Sequence, residues 1–266
     1  MKYLAGFIGS GNMGSALALA VSKSIDPKEI AVSDHSMKKA EALAKNIGAN
    51  ATDNAEIVRE SKYIFLGVKP QMLKKLFKEI APILAERTDE FILVTMAAGT
   101  SIEQIAEFAG KSYPTIRIMP NTPVSIGRGI VLYAPSEDAS DTKEFCDMMK
   151  MSGTLDEIPE SLIDAASCVT GCSPAWIYMF IEALSDGGVK CGLPRAKAIS
   201  YACDALIGSS ELVKKSGKHP GQLKDEVTSP GGTTIAGVHA LERKSFRGTV
   251  MDAVTSAYKR TLNLKK

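Results

Sequence analysis

Short apolar runs alternate with amphipathic segments in the first half of the chain, and this alternation constrains the fold most strongly. Gly48 marks the end of one helix, and the pair Ser101 and Gln104 marks the start of another. A helix opened by Pro70 is expected to end or bend at Pro82. Strands that alternate with helices predict an α/β fold, a parallel sheet with helices on both faces. The predicted strands are 3–9, 30–34, 63–68, 91–97, 115–120 and 129–134.

A different pattern begins near Pro159, where the apolar runs stop and long helical periodicities follow. We therefore predict two domains, 1–158 with the sheet and 159–266 all-helical. A helical half of this size often buries part of its surface against a partner chain, which is our hypothesis for this one. The predicted helices lie at 161–191 (interrupted at Cys-Ser-Pro), 194–216, 233–243 and 248–264.

Three glycines with the spacing G-x-G-x-x-G follow the first strand, at Gly9, Gly11 and Gly14. The spacing alone is weak evidence, but here it joins a strand to a helix, and Asp34 ends the next strand 20 residues after Gly14. This context predicts a dinucleotide site, in which Gly11 lets the backbone approach a pyrophosphate at the positive end of a helix. The same loop supplies the further predicted contacts Ile8, Ser10, Asn12 and Met13.

Asp34 bears on the choice between NADH and NADPH. A carboxylate at this position accepts hydrogen bonds from the ribose hydroxyls of NAD and repels a 2′-phosphate. Alternatively, Asp34 only caps the next helix, and the residues after it hold that phosphate. We predict NADH or NADPH as cofactor, with NADH favoured. The residues that would favour NADPH are His35, Ser36, Lys38 and Lys39.

Other candidate residues follow later strands, at the edge where α/β sheets bind ligands. Lys69 is placed to face a phosphate or the nicotinamide, although a solvated lysine is the ordinary alternative. Ala97 and Ala98 leave room for a flat ring against the backbone. Asn121 can hydrogen-bond a carboxamide or, equally, form an Asx turn before Thr122.

The stretch TSPGGTT, from Thr228 to Thr234, carries the most specific chemical signal. The N–H groups of Gly232, Thr233 and Thr234 would be the unpaired first donors of a helix. Such a terminus suits a small carboxylate, and Ser229 adds a further hydroxyl. The alternative is a hydroxyl-capped helix with no ligand. The loop lies in the other predicted domain from the glycine motif, where a substrate carboxylate would need to be held.

Composition excludes several other functions. The net charge is +2 and no block of lysines and arginines occurs, so we expect no nucleic-acid or membrane partner. Because Met1 leads directly into a strand, we expect no signal peptide. The five cysteines form no CxxC pair and only three histidines are present, so we predict no metal site. Reduced thiols indicate a cytoplasmic protein.

These motifs together resemble the Δ1-pyrroline-5-carboxylate reductase family. The likeness extends along nearly the whole chain, and its most specific part is HPGQLKDEVTSPGGTTIAGVHALE. The other segments that carry it are FIGSGNMG, VKPQ, AAGTSI, RIMPNTP and IEALSDGGVKCGLPR.

The resemblance implies an N-terminal Rossmann-type doubly wound sheet and a C-terminal all-helical dimerisation domain. It also implies a homodimer with a shared active site and allows a higher oligomer of dimers. The implied reaction is NAD(P)H-dependent reduction of the cyclic imine 1-pyrroline-5-carboxylate to L-proline. By position, the substrate residues are Ser229, Gly232, Thr233 and Thr234, with Glu160 at the border. The implied cofactor residues are Asn54, Val68, Lys69, Pro70, Ala97 and Ala98, with Glu226 nearby.

The chain departs from the family pattern at two places. GCSPAW replaces GSGPAY, which puts Ser173 and Trp176 in positions that shape the pocket floor. Asp34 and His35 stand where the family often has Asn-Arg, which supports NADH.

We predict that the Thr234 hydroxyl orients the ring nitrogen of the imine and is not a formal acid. The alternatives are another imine reductase, a β-hydroxyacid-type dehydrogenase, or a non-catalytic NAD(P)-binding module. Such a dehydrogenase would need a lysine within 161–189, where none occurs. A non-catalytic module would not need an intact SPGGTT.

Overall fold

The computed structural model describes residues 1–264, which form two compact units. The first comprises Met1–Cys172 together with the described residues from Ala257 onward, and the second is Ser173–Ser256. Among the described residues, every helix is too short or too polar to cross a membrane. The described residues also contain no cluster of three or more histidine, cysteine or acidic side chains that could bind a metal ion.

The first unit is built on an eight-stranded sheet with the order β3-β2-β1-β4-β5-β6-β7-β8. The strand order reverses between β1 and β4, which is the switch point of a doubly wound sheet. The predicted α/β doubly wound fold is therefore confirmed. The strands are β1 (Tyr3–Ile8), β2 (Ile30–Ser33), β3 (Asn50–Ala51), β4 (Ser61–Leu66), β5 (Ile92–Thr95), β6 (Thr115–Pro120), β7 (Gly129–Pro135) and β8 (Gly153–Glu157).

The expectation of a wholly parallel sheet was wrong at one pair, because β7 runs antiparallel to β6. Only residues 121–128 connect these strands, and a short 3-10 turn occupies most of them. A parallel crossover needs a longer connection, so the chain reverses direction instead. The short strand β3 and the polar strand β8 carry little apolar patterning, so neither was predicted from the sequence.

Helices cover both faces of the sheet and bury apolar side chains from each side. Phe7 and Phe65 stack on one face, with 4.3 Å between their ring centroids, while Ile64 and Leu66 pack with α4 on the other. Residues buried on both faces explain the continuous apolar strands. The helices are α1 (Asn12–Val21), α2 (Met37–Ile47), α3 (Asn54–Glu60), α4 (Pro70–Glu86), α5 (Ile102–Ala109), α6 (Lys143–Met149) and α7 (Glu160–Thr170).

Pro82 neither ends α4, which continues to Glu86, nor interrupts its buried face. Pro82 is exposed, and so is Lys78, whose carbonyl loses the hydrogen bond that proline cannot donate. Water can solvate that carbonyl. Of the two expected outcomes, an end at Pro82 was wrong, and a bend there stays a prediction.

The second unit contains only helices within its described residues. Four of its residues are buried, Pro174, Ser185, Ala198 and Ala202, whereas many large apolar side chains are exposed. The compact units divide at Cys172, because α7 packs on β6 and β7. The predicted domain boundary after residue 158 stays a prediction. The helices are α8 (Ser173–Lys190), α9 (Arg195–Ser216), the unpredicted α10 (Pro220–Glu226), α11 (Thr233–Glu242) and α12, which begins in this unit (Phe246–Leu264).

Candidate functional site

The glycine loop after β1 is shaped by close backbone packing. Gly9 has a φ of 109°, which disfavours other residues, and a Cβ there would lie 2.9 Å from the carbonyl of Gly67. A Cβ on Gly14 would lie 2.1 Å from the Gly9 carbonyl oxygen. Gly14 therefore lets α1 begin directly against the loop, at the switch point between β1 and β4. Ile8, the last residue of β1, is buried and can offer a ligand only its backbone.

Gly11 differs from the other two glycines of the motif because the space beside it is open. A Cβ on Gly11 would meet nothing within 4 Å. Gly11 is also the N-cap of α1, which has no side-chain cap and no acidic residue in its first turn. A helix start of this kind, with open space beside its N-cap, can bind a phosphate through its first N–H groups, those of Asn12 and Met13. The loop fits the pyrophosphate of a dinucleotide.

Asp34 lies beside this loop and makes the helix-supporting contact that the sequence suggested, together with a second contact to the loop itself. Its Oδ2 accepts a hydrogen bond from the Ser10 backbone N–H at 2.9 Å. Its Oδ1 accepts one from the Ser36 backbone N–H at 3.0 Å, so it also supports the start of α2. His35 Nδ1 lies 2.9 Å from the same Oδ1. The carboxylate is thus fixed at the carboxyl end of β2, where a ribose would lie.

The other predicted cofactor residues also follow parallel strands at this edge. Val68, Lys69 and Pro70 connect β4 to α4, and Lys69 is exposed. Ala97 is buried and Ala98 exposed in the loop after β5. Asn54 begins α3, where it accepts from Ser33 Oγ at 2.7 Å.

Asn121 has a structural role that limits its predicted one. Its Oδ1 accepts from the Ile130 backbone N–H at 2.9 Å, and its Nδ2 donates to the Thr170 carbonyl at 3.1 Å. The amide therefore ties β6 to β7 and α7, and a ligand could use only its remaining N–H and lone pair.

A buried arginine with two carboxylate partners was not predicted from the sequence. Arg117 on β6 is 1% exposed, and its guanidinium contacts Glu160 and Asp164 of α7. Glu160 Oε1 also accepts from the Ile102 backbone N–H at 2.8 Å. The only sequence signal was a single arginine inside the apolar run TIRIMP. Glu160, predicted to border the substrate, is therefore engaged within the first unit.

The predicted substrate residues other than Glu160 lie together in the second unit, in the turn after α10 and the first residues of α11. Gly231 has a φ of 68°, and Gly232 is the N-cap of α11 with no side-chain cap. The expectation that the Gly232 N–H is unpaired was wrong, because it donates to the Ser229 carbonyl at 3.1 Å within the turn. Ser229 packs so closely that a Cβ on Gly232 would lie 2.5 Å from its Oγ. Thr233 and Thr234 are exposed in the first turn of α11, which contains no acidic residue. The helix terminus can therefore receive a carboxylate.

Known families match both parts of the chain. Residues 160–264 match the family described as pyrroline-5-carboxylate reductase dimerisation. Residues 5–99 match the family described as NADP oxidoreductase, coenzyme F420-dependent. The predicted nicotinamide-dependent oxidoreductase is thereby confirmed, while the choice between NADH and NADPH stays open.

Relatives extend the match to full length. The pyrroline-5-carboxylate reductase of Pisum sativum is 40% identical, over 99% of this chain and 96% of its own. That of Escherichia coli (strain K12) is 38% identical over 100% of both chains. The crystal structure of Plasmodium falciparum pyrroline carboxylate reductase with NADP bound is 33% identical, covers 100% of both chains and superposes with a TM-score of 0.89. The chain belongs to the pyrroline-5-carboxylate reductase family.

Proposed function

We propose that the chain reduces 1-pyrroline-5-carboxylate to L-proline with NADH or NADPH, the last step of proline biosynthesis. The observation that carries this proposal is the uncapped N-terminus of α11 in the TSPGGTT loop. A glycine N-cap, no acidic residue in the first turn and exposed hydroxyls together form a receptor for a small carboxylate. Full-length relatives that carry this enzyme name support the same reaction.

The substrate carboxylate would be held by the backbone N–H groups of Thr233 and Thr234, with the Ser229 hydroxyl as a further donor. Gly232 would support these donors indirectly, because its own N–H donates to the Ser229 carbonyl at 3.1 Å and anchors the turn. The Thr234 hydroxyl would hydrogen-bond the ring nitrogen and orient the C=N bond. Positioning of this kind can supply several kcal/mol of the barrier.

The nicotinamide cofactor supplies the hydride. In this chain the loop of Gly9, Gly11 and Gly14 would bind its pyrophosphate, and Asp34 its ribose. The residues after β4 and β5, namely Val68, Lys69, Pro70, Ala97 and Ala98, would line the remainder. We propose NADH as the preferred form because the Asp34 carboxylate would repel a 2′-phosphate.

We further propose a homodimer with a shared active site, supported by the match to a dimerisation family. The second unit exposes many large apolar side chains, a feature that marks protein interaction sites. A higher oligomer of dimers and a cytoplasmic location stay predictions from the sequence.

The test is oxidation of NADH and of NADPH with 1-pyrroline-5-carboxylate, followed side by side in absorbance and with proline as the product measured. Turnover that favours NADH supports both the reaction and the role of Asp34. Turnover that favours NADPH keeps the reaction and assigns the 2′ site to His35, Ser36 and Lys38. Cofactor binding without turnover would refute the substrate assignment and leave other cyclic imines to be tried.

A further inference from the structure

Arg117 carries a buried positive charge that the proposed chemistry does not use. Its side chain is 1% exposed, and the two carboxylates it contacts are 32% and 5% exposed, for Glu160 and Asp164 respectively. An arginine this deep in a sheet costs desolvation energy, which two carboxylates offset. Its Nε makes no hydrogen bond within the described part of the chain. The pairing therefore depends on the two terminal nitrogens alone.

The contacts of Arg117 connect the two ends of one loop, residues 96–101. Arg117 lies opposite Thr95, the last residue of β5, in the sheet register. Its Nη1 is 3.3 Å from Glu160 Oε1, and the same oxygen accepts from the Ile102 backbone N–H at 2.8 Å. Ile102 is the first residue of α5. Both ends of the loop 96–101 are thus held, one by the sheet and one by Glu160.

That loop contains two of the proposed cofactor residues. The Ala97 N–H donates to Thr95 Oγ1 at 3.4 Å, and the loop ends at the capping box of Ser101 and Gln104. Gly99 adopts a φ of 72°, and the Thr100 N–H donates to the Ala97 carbonyl at 3.2 Å. Ala97 and Ala98 lie within this turn. The start of α5 is held by its own capping box and, from outside the helix, by Glu160 of α7.

We propose that Arg117 is a positioning residue for cofactor binding, which holds Glu160 against Ile102 and thereby presents the Ala97–Ala98 backbone to the nicotinamide side of the cofactor. This inference rests on the proposed cofactor site. It assigns Glu160 to the cofactor loop rather than to the substrate border.

The binding test uses NADH alone, with its fluorescence titrated into the full-length protein. Arg117→Lys keeps the charge but cannot contact both carboxylates as the two terminal nitrogens of arginine do. Its ammonium would remain with the more buried Asp164. Glu160→Ala removes the shared acceptor at a partly exposed position, so the fold should survive. We expect each variant to raise the Kd for NADH about fivefold, the scale of one hydrogen bond.

Two further variants separate positioning from stability. Glu160→Gln retains an oxygen that can accept from both Ile102 and Arg117, so it should restore the Kd to within about twofold of the parent. Asp164→Asn weakens the other branch of the same guanidinium. It should lower the melting temperature and leave the Kd within about twofold.

Hydrogen–deuterium exchange of the free protein provides a readout that needs no cofactor. The amides of 96–104 should exchange faster in Arg117→Lys and Glu160→Ala than in the parent or in Asp164→Asn. Unchanged exchange in this segment would overturn the proposal, even if NADH fails to bind and the cofactor site itself is wrong. An equal rise in Kd for Asp164→Asn would also overturn it, as would a Glu160→Ala variant that affects only the KM for the imine.

Discussion

The Asp34 carboxylate and the Ser10 backbone N–H are joined by a hydrogen bond of 2.9 Å. The side chain that we propose discriminates between NADH and NADPH therefore also holds the glycine loop in place. Asp34→Asn leaves one oxygen acceptor in place of the two that accept from the Ser10 and Ser36 N–H groups, and it removes the negative charge. Asp34→Ala removes every acceptor together with the charge.

Asp34→Asn should shift the ratio of kcat/KM for NADH over NADPH towards NADPH by about tenfold, because charge repulsion of the 2′-phosphate is lost. Asp34→Ala should lower kcat/KM with both cofactors, since the Ser10 loop loses its anchor. Steady-state kinetics with each cofactor measures both effects. An unchanged ratio in Asp34→Asn would show that the carboxylate does not face the 2′ position.

Substitution by alanine should weaken cofactor binding at Gly11 and lower the stability of the fold at Gly14. Gly11→Ala meets no atom within 4 Å, so the protein should fold normally and bind cofactor more weakly. Gly14→Ala places its Cβ 2.1 Å from the Gly9 carbonyl oxygen. It should lower the free energy of unfolding by about 2 kcal/mol or more. Thermal unfolding without ligand and NADH titration distinguish the two, and full affinity in Gly11→Ala would contradict the pyrophosphate assignment.

Thr234→Ala should lower kcat/KM for the imine by roughly 10- to 100-fold, the cost of one lost orienting hydrogen bond at a reacting atom. The Kd for NADH should stay near the parent value. Thr249→Ala is the matched control, because that hydroxyl is exposed and donates only to the carbonyl of Ser245, the residue before α12. Parent-like turnover in Thr234→Ala would remove this residue from the mechanism.

The helical unit should lose its ability to dimerise when its exposed apolar surface is charged. Met179 and Met251 are 67% and 64% exposed in the single chain. Met179→Lys combined with Met251→Lys should shift the protein from dimer to monomer in sedimentation experiments and lower activity. Ile126→Lys, at a residue 74% exposed in the first unit, is the control and should remain dimeric. A stable dimer in the double variant would place the interface elsewhere.

Glu56 should make stability depend on pH in the acid range. Hydrogen bonds from Thr52, Lys2 and Tyr3 lower the pKa of Glu56 to about 2. A carboxylate with a lowered pKa stabilises the fold above its unfolded value of 4.5, and this contribution is lost as the pH falls towards 2.

Glu56→Gln should therefore be less stable than the parent at pH 7 by under about 1 kcal/mol, because the side chain is partly exposed. The difference should disappear as the pH falls through that window. Chemical denaturation of both proteins across this range provides the measurement. A difference that persists at the acid end would point to packing rather than charge.

The sequence by itself determined the elements whose causes are local. Apolar runs between helical periods predicted six of the eight strands, and the spacing of Gly9, Gly11 and Gly14 with Asp34 predicted the dinucleotide loop. TSPGGTT likewise predicted an uncapped helix start, because glycine and hydroxyl-bearing residues influence the backbone only a few positions away along the chain. The resemblance of whole motifs led to the reductase family, which the full-length relatives confirm.

Only the tertiary structure decided the relationships between distant segments. The reversal of β7 follows from a short connection and its pairing with β6, and the continuation of α4 past Pro82 depends on which side of the helix faces water. Arg117 contacts Glu160 and Asp164, which lie 43 and 47 positions after it in the sequence. No local pattern encodes such contacts, because a buried charge is stable only where the fold brings its partners within reach.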